Sequence, residues 1–245
     1  MCLNLRHGGA EYPAVPPQDD PGPHRVAIAA ARNEADRVGA TVDALAAVLP
    51  GARLFVADDA SEDGTAEEAM RHGATVVRRA LSHGKGGNVG AAAEAALSEL
   101  DGDAVFLLCD ADLGDSAREL LPLIEAVERG DCDLAVAGFA RREGGGFGLA
   151  LGYARRKIQE LCGFRAEAPI SGQRAMRAET LRRLLPFADG FGMELGMTVD
   201  AVRAGCRVKE IELSLSHRAT YRTIGGFLHR ARQLRDFRRA VRARR

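Results

Sequence analysis

The sequence contains no tryptophan, and only three of its 34 basic residues are lysines. Its five cysteines lie far apart without a CxxC pair, which argues against a disulfide scaffold and a structural zinc site. The longest apolar runs, such as 26–31 and 104–109, have about six residues, far short of the roughly 20 that span a bilayer. We therefore expect a cytoplasmic protein without a signal peptide.

Net charge is also absent, because 34 Asp and Glu residues balance 34 Lys and Arg residues. This balance does not suit a protein that coats nucleic acid, so no nucleic-acid partner is expected. The charges are unevenly placed, however. Residues 218–245 carry ten arginines and one acid, Asp236, so this segment has a net charge of +9 and residues 1–217 have −9.

The 245 residues are 46% hydrophobic, enough for one large core. Residues 1–23 hold five of the nine prolines and are predicted to be a disordered leader. Beyond them, short apolar runs alternate with helical patterns, as in parallel βαβ units. The predicted strands are 25–30, 53–57, 75–78, 104–109 and 133–137. One predicted helix ends at Pro50, and three others cover 66–72, 90–100 and 115–129.

After Gly138 the pattern changes to a glycine-rich loop, a helix at 150–161 and an alternating strand at 208–216. We predict an α/β chain with one domain at 24–223. Its Rossmann-like half, 24–138, has a mixed, mainly parallel sheet, and its second half, 139–223, is α+β. A basic amphipathic helix at 224–245 completes the prediction.

Four polar loops follow predicted strands. In doubly wound folds this places them at the carboxyl edge of the sheet, where ligands bind. They are AARNEAD (30–36), ADDASEDGT (57–65), SHGKGGNVG (82–90) and LCDADLGDS (108–116).

The second loop begins with Asp58 and Asp59, whose carboxylates could accept hydrogen bonds from a base or ribose. Aspartates before a turn also act as helix caps or in Asx-turns, and this alternative is stronger for Asp58.

The third loop combines glycines with a single cation, Lys85, and so predicts contact with an anion or nucleotide. A flexible loop with a solvated lysine is the alternative. Gly86 and Gly87 follow Lys85, so the segment is not a P-loop.

The fourth loop places Asp110 and Asp112 directly after an apolar strand. Two carboxylates at this spacing can approach one Mg²⁺ or Mn²⁺ that keeps coordination sites for a substrate diphosphate. DxD is also common in ordinary turns, and its position after the strand is what favours a metal.

Taken together, RNE, DDASEDGT, GKGGN, DAD and the later SGQRA resemble a family 2 glycosyltransferase of GT-A fold, from about Arg25 to His217. The later part is similar both to glucosyl-3-phosphoglycerate synthases and to polyprenyl-phosphate sugar transferases of the dolichyl-phosphate mannose synthase type. The first loop departs from the family, with Ala29–Ala31 where many relatives carry proline and an aromatic residue.

The resemblance implies that the half 24–138 binds the nucleotide sugar and the half 139–223 the acceptor, and it implies a role for each matching residue. Ala30, Arg32 and Glu34 would line the base, Asp59 would bind base or ribose, and Lys85 would lie near the nucleotide. In the DxD motif, Asp110 would lie nearer the ribose, with Ala111 beside the nucleotide sugar, and Asp112 would act in catalysis as the main ligand of Mg²⁺ or Mn²⁺.

The second half carries the expected acceptor site. Ser171, Gly172, Gln173 and Arg174 form a polar stretch suited to a hydroxyl or phosphate, although Arg174 could instead make a structural salt bridge.

Glu194 is the candidate general base, by similarity to inverting relatives, and Asp200 is a weaker candidate. Alternatively, Glu194 orients other groups or interacts with the helix N-terminus. By the same resemblance, His217 would complete the metal site; the alternative is a simple exposed histidine.

The C-terminal helix has an apolar stripe opposite an arginine-rich face, predicted from the spacing of residues 224–242. It could dock on the body, or lie on the inner membrane surface beside a lipid-phosphate acceptor; a nucleic-acid-binding patch is the third alternative. Peripheral membrane contact and a homodimer both stay open.

The predicted reaction is transfer of a hexose from a UDP- or GDP-sugar to a small phosphorylated or hydroxyl acceptor, with Mg²⁺ or Mn²⁺. A polyprenyl phosphate is the alternative acceptor. A nucleotidyltransferase and an inactive nucleotide-sugar-binding protein are the other classes. The nucleotidyltransferase is disfavoured because ARNEAD is not the glycine-rich basic loop expected after its first strand.

Overall fold

A computed structural model describes residues 24–100, 102–139, 148–214 and 224–245. The predicted leader and His217 lie outside these residues. The strands are β1 (His24–Ala31), β2 (Arg53–Asp58), β3 (Thr75–Arg78), β4 (Ala104–Asp110), β5 (Leu134–Phe139), β6 (Arg174–Arg177) and β7 (Val208–Leu213). The helices are α1 (Val38–Val48), α2 (Thr65–Arg71), α3 (Gly84–Ser98), α4 (Leu121–Glu128), α5 (Gly148–Cys162), α6 (Ala178–Leu184), α7 (Met193–Arg203) and α8 (Ile224–Arg242). Gly114–Leu120 and Gly190–Gly192 are 3₁₀ helices.

Within the described residues, the strands form one seven-stranded sheet in the order β3-β2-β1-β4-β6-β5-β7. All pairings are parallel except those of β6, which lies antiparallel between β4 and β5. The predicted mixed, mainly parallel sheet is thus confirmed. In this register Ala30 on β1 lies beside both Ala57 and Asp110, so the loops after β1, β2 and β4 leave the sheet at one edge.

The sheet is covered on both faces, because neighbouring residues of a strand point to opposite sides. On one side Ala27, Val105 and Leu107 pack with α1 and α4. On the other side Ile28 and Phe106 pack with α3, α6 and α7. Burial on both faces explains why β1 and β4 are continuous apolar runs instead of alternating patterns.

The helix α8 packs against the body in its described second half. Phe237, Ala240 and Val241 are buried in a third apolar cluster with residues of α5 and α7. The arginines between them, such as Arg238 and Arg239, are exposed. These residues therefore dock on the protein, as the first of the three interpretations of the C-terminal helix expected.

Three local predictions are wrong. The GKGGN segment is not a loop, because α3 begins at Gly84 instead of residue 90. The single helix predicted at 115–129 is a 3₁₀ helix followed by α4, with a proline in the first turn of α4. The polar segment predicted to hold the acceptor is a loop only as far as Gln173, since Arg174–Arg177 form strand β6.

None of the helices in the described part of the chain is long and apolar enough to cross a membrane.

Candidate active site

A partly buried group of charges surrounds Lys85 at the carboxyl edge of the sheet. Lys85 Nζ lies 2.5 Å from Asp110 Oδ1 and 3.0 Å from Glu194 Oε1. Gln173 Nε2 donates a hydrogen bond of 2.7 Å to Asp110 Oδ2. These four residues, which we call the Lys85 cluster, join the predicted nucleotide, acceptor and general-base residues in one place.

The electrostatics of the Lys85 cluster favour its charged form. Burial alone would lower the pKa of Lys85, but Asp110 and Glu194 together raise it well above its usual range. Lys85 therefore stays protonated at physiological pH. Glu194 is only 4% exposed, and its carboxylate is compensated by this ammonium group at 3.0 Å and by the charge of the buried Arg174.

Two glycines make the approach of Lys85 possible. A Cβ atom at Gly172 would overlap Lys85 Nζ and lie 3.0 Å from Asp110 Oδ2. A Cβ atom at Gly86, in the first turn of α3, would overlap the carbonyl oxygen of Ala188. Gly172 was predicted to contact the acceptor, and that role stays a prediction. Because Gly172 has no side chain, Lys85 can lie directly beside Asp110 of the DxD motif.

The backbone of the DxD motif is held by the first loop and by α1. The amide of Ala111 donates to the carbonyl of Ala30 at 2.9 Å. Thr41 Oγ1 donates to the Ala111 carbonyl at 2.7 Å, and Arg37 donates to the Asp112 carbonyl at 2.8 Å. The backbone of the loop after β4 is therefore fixed at Ala111 and Asp112. The sequence patterns did not identify Arg37 or Thr41.

The carboxylates of this loop are a reasonable donor set for a divalent cation bound together with a substrate. Among the described residues, no group of three or more His, Cys, Asp or Glu side chains converges. Mg²⁺ is commonly bound through one or two carboxylates plus substrate phosphates, so Asp110 and Asp112 fit such an ion. Both oxygens of Asp110 already have protein partners. That Asp112 is the main ligand stays a prediction.

A second polar group surrounds Asp59, which is 6% exposed. Ser82 Oγ donates to Asp59 Oδ2 at 2.7 Å, and the His83 amide donates to Asp59 Oδ1 at 2.9 Å. Arg32 lies 3.7 Å from the same carboxylate and donates to Ser82 Oγ at 2.8 Å. We call these residues the Asp59 cluster. They link the first three predicted loops.

Asp58 has the structural role expected of an aspartate before a turn. Its carboxylate accepts a hydrogen bond of 3.1 Å from the Ser61 amide and lies 3.3 Å from Arg78 Nε. Asp58 is fully buried. It therefore stabilises the turn after β2, whereas Asp59 lies beside the following loops.

The first and second loops are tied to each other by hydrogen bonds that the motifs did not reveal. The amides of Asn33 and Glu34 donate to the hydroxyls of Ser61 and Thr65, each at 2.9 Å. Asn33 and Ala60 both have positive φ angles, 56° and 57°. Left-handed backbone at a non-glycine residue is costly and often lies at functional sites.

Arg174 is fully buried and holds the acceptor segment to α7. Its Nε donates to the Ser171 carbonyl at 2.9 Å, and another nitrogen donates to Thr198 Oγ1 at 3.0 Å. Burial lowers the pKa of Arg174 to about 10, although Glu194 and Glu210 act in the opposite direction. Ser171 itself donates to Gln173 Oε1 at 3.1 Å. Direct acceptor contact by Ser171, Gln173 and Arg174 stays a prediction.

The alternative general base, Asp200, has a structural partner. Arg244 Nε lies 2.8 Å from one Asp200 oxygen, and a second nitrogen lies 2.5 Å from the other. This fork-shaped pairing ties α7 to the C-terminal residues. Of the two candidate general bases, Glu194 lies beside the DxD motif, whereas Asp200 is paired with Arg244.

Comparisons with known proteins agree with this geometry. The model of "Glycosyl transferase family 2" matches residues 27–185. An undecaprenyl-phosphate mannosyltransferase of Micrococcus luteus is 29% identical over 202 residues, which are 76% of this chain and 81% of that protein. A glucosyl-3-phosphoglycerate synthase of Mycolicibacterium paratuberculosis is 30% identical over 194 residues, 69% of this chain and 57% of that protein.

Solved structures show the same fold. The glucosyl-3-phosphoglycerate synthase of Mycobacterium tuberculosis in complex with phosphoglyceric acid superposes with a TM-score of 0.72 and 24% identity, covering 91% of this chain and 80% of that one. Another structure of that enzyme contains Mn²⁺, UDP-glucose and phosphoglyceric acid and gives a TM-score of 0.69 at 23% identity, covering 90% and 80%. The family match covers more than half of the chain, and these structures share its sheet and helices. The chain belongs to glycosyl transferase family 2, and it is a glycosyltransferase with a GT-A-like fold.

Proposed function

We propose that this glycosyltransferase transfers a hexose from a UDP- or GDP-sugar to a small phosphorylated or hydroxyl acceptor, with Mg²⁺ or Mn²⁺. The observation that carries the proposal is the Lys85 cluster, in which one cation lies between the DxD carboxylate Asp110 and the acid Glu194. The mycobacterial synthase, solved with UDP-glucose, Mn²⁺ and phosphoglyceric acid, supports this choice of substrates.

The donor would lie along the carboxyl edge of the sheet. Asp59 would accept hydrogen bonds from the base or ribose, and the exposed Arg32 would approach the same part of the nucleotide. Asp110, held by Lys85 and Gln173, would face the ribose side of the diphosphate. Asp112 would be the main metal ligand. The metal ion, when bound, would neutralise charge on the departing nucleoside diphosphate.

The acceptor would approach from the side of Gln173 and Glu194. Glu194 would take the proton from an acceptor hydroxyl, and Lys85, 3.0 Å away, holds this carboxylate beside the DxD motif. A phosphate acceptor carries its own negative charge and needs little help from a base. With such an acceptor, Glu194 would instead hold Lys85 in place.

A donor and acceptor panel tests the proposal. Release of UDP or GDP is measured with each nucleotide sugar and Mn²⁺, with and without 3-phosphoglycerate or a short polyprenyl phosphate. Asp112→Asn should lower kcat/KM at least 100-fold because it removes a metal-binding charge. Asp115→Asn is the matched control, since Asp115 is exposed on the same segment and should keep wild-type activity. Unchanged turnover in Asp112→Asn would show that the metal assignment is wrong.

A polyprenyl-phosphate acceptor is the second candidate, favoured by the surface of α8. Arg235, Arg238, Arg239 and Arg242 are exposed, whereas Phe237 and Val241 are buried against the body. Contact with a membrane through this half would therefore be electrostatic, with anionic lipid headgroups. The Micrococcus luteus relative is named for a lipid-phosphate acceptor.

Vesicle binding separates the two acceptor classes. Under this second candidate, wild-type protein should sediment with phosphatidylglycerol vesicles but not with phosphatidylcholine vesicles. The double variant Arg238→Glu/Arg239→Glu should lose this binding and keep turnover of a soluble acceptor. Equal sedimentation of the variant and wild type would exclude this face as the membrane contact.

A further inference from the structure

The helix α8 packs directly on the short segment 188–192, which leads into α7. A Cβ atom at Gly190 would overlap the carboxylate of Asp236, and Gly190 has a φ of +55°. The Phe191 amide donates to Asp236 Oδ2 at 3.4 Å. A Cβ atom at Gly192 would lie 3.0 Å from the Asp236 carbonyl oxygen. The segment therefore fits α8 only because two of its residues lack a side chain.

The same segment also touches the first turn of α3, which carries Lys85. A Cβ atom at Gly86 would overlap the Ala188 carbonyl oxygen, and a Cβ atom at Gly84 would lie 3.0 Å from the Cα atom of Gly190. Residues 188–192 are thus enclosed between the C-terminal helix and the two glycines that flank the lysine. Glu194 follows two residues later.

A second contact joins the C-terminal residues to α7 beyond the segment. Arg244 pairs with Asp200, and a Cβ atom at Gly196 would lie 2.8 Å from Arg244 Cζ. Arg203 also donates to the Arg244 carbonyl at 2.6 Å. The helix α7, which carries Glu194 at its start, is therefore held by the C-terminal residues at both ends.

We propose that Asp236 is a positioning residue for the Lys85 cluster. By accepting the Phe191 amide and occupying the space above Gly190, it fixes the segment 188–192 and thereby the separation of Lys85 and Glu194. Asp236 is 7% exposed, and a buried carboxylate is costly unless it is paired and hydrogen-bonded; its partners are the Phe191 amide and Arg235, whose Nε lies 3.5 Å from Oδ1. The expected effect on catalysis rests on the proposed function, but the effect of Asp236 on the position of residues 188–192 does not.

Two measurements on the same variants test this inference. Hydrogen exchange of backbone amides is followed by mass spectrometry in peptides covering 84–90 and 188–197. The values of kcat and KM for the donor found active in the panel are measured in parallel. The variants are Asp236→Ala, which removes the acceptor of the Phe191 amide, and Asp236→Asn, which keeps an oxygen there.

A glycine pair provides the matched control. Gly190→Ala introduces a side chain at positive φ against Asp236. Gly205→Ala introduces one at a φ of +78°, after the end of α7, where nothing lies within 4 Å. Backbone strain is thus similar in both, and only Gly190→Ala disturbs the contact with α8.

Asp236→Ala and Gly190→Ala should raise exchange in residues 84–90 at least fivefold and lower kcat about tenfold or more, because small displacements of reacting groups are costly. Asp236→Asn and Gly205→Ala should stay within about threefold of wild type in both measurements.

Wild-type exchange at 84–90 in Asp236→Ala would overturn the inference, whatever the activity. So would a kcat loss in Gly205→Ala equal to that in Gly190→Ala, since strain alone would then explain both. If wild-type protein turned over no donor, the proposed function would fail, and the exchange data alone would still support or overturn the mechanical coupling.

Discussion

The Asp59 cluster and the Lys85 cluster lie at the same edge of the sheet but are built differently. Asp59 is held by neutral donors, a hydroxyl and an amide from two adjacent residues, with an exposed arginine nearby. In the Lys85 cluster, Asp110 and Glu194 share one partly buried ammonium group, and the four residues of the cluster come from distant parts of the chain.

This difference determines how each cluster responds to a substitution. A carboxylate with two neutral donors keeps one of them when the other is removed, so the loss is that of a single hydrogen bond. A lysine shared by two carboxylates is harder to replace, because its removal takes away the cation that lies within 3.0 Å of both acids. We therefore expect large effects in the Lys85 cluster and small ones in the Asp59 cluster.

The largest effect is expected for Lys85→Met, which keeps the length of the side chain and removes its charge. Removing one partner from a buried ion pair costs about 3–5 kcal/mol, and the lower end applies here because Asp110 is 30% exposed. We expect a fall of about 3 kcal/mol in the free energy of unfolding, measured in urea. A fall in kcat of about 100-fold should accompany it, because the cation near the leaving group is lost.

Lys209→Met is the control for this prediction. Lys209 is exposed on β7, its Nζ lies 3.6 Å from Asp131 Oδ2, and such surface pairs contribute about 0–1 kcal/mol. Equal losses of stability in the two variants would mean that Lys85 is no more important to the fold than a surface lysine.

An intermediate effect is expected for Gly172→Ala. The new methyl group would overlap Lys85 Nζ and separate it from Asp110, a case of overpacking that costs about 1–3 kcal/mol. We expect that loss in urea unfolding and a kcat roughly tenfold below wild type.

Gly152→Ala introduces the same methyl group within α5, where nothing lies within 4 Å, so it should stabilise the protein by about 0.5–1 kcal/mol. If Gly172→Ala behaved like Gly152→Ala, the close approach of Lys85 would not depend on the glycine.

The sequence predicted the edge of the sheet well because strands and loops leave local patterns. Apolar runs ending in polar loops indicated β1, β2 and β4, and their parallel arrangement brought Asp59 and Asp110 to one edge. The contact between Lys85 and Glu194 left no such pattern, because it joins residues 109 positions apart in the sequence. The glycines of GKGGN suggested a flexible loop, whereas Gly86 allows α3 to approach the Ala188 carbonyl.

Arg174 illustrates a second limit of the sequence. Arginine in a polar segment predicts contact with an anion, yet this side chain is fully buried with Ser171 and Thr198. A four-residue antiparallel strand within a parallel sheet carries too little pattern to be predicted, so its burial could not be foreseen. The residues that hold the DxD backbone, Arg37 and Thr41, likewise act through hydrogen bonds that no motif records.

The smallest effect is expected in the Asp59 cluster, for Ser82→Ala. This change removes one donor to Asp59 and one acceptor from Arg32, but the His83 amide still donates to Asp59 at 2.9 Å. The free energy of unfolding should fall by about 1 kcal/mol, and the donor KM should rise only a few-fold, with kcat unchanged. Ser98→Ala, at the other end of α3, removes a hydroxyl that donates only to the Ala95 carbonyl and should leave the donor KM unaltered. A kcat loss in Ser82→Ala as large as that in Lys85→Met would contradict the contrast between the clusters, because one neutral hydrogen bond would then matter as much as a buried charge.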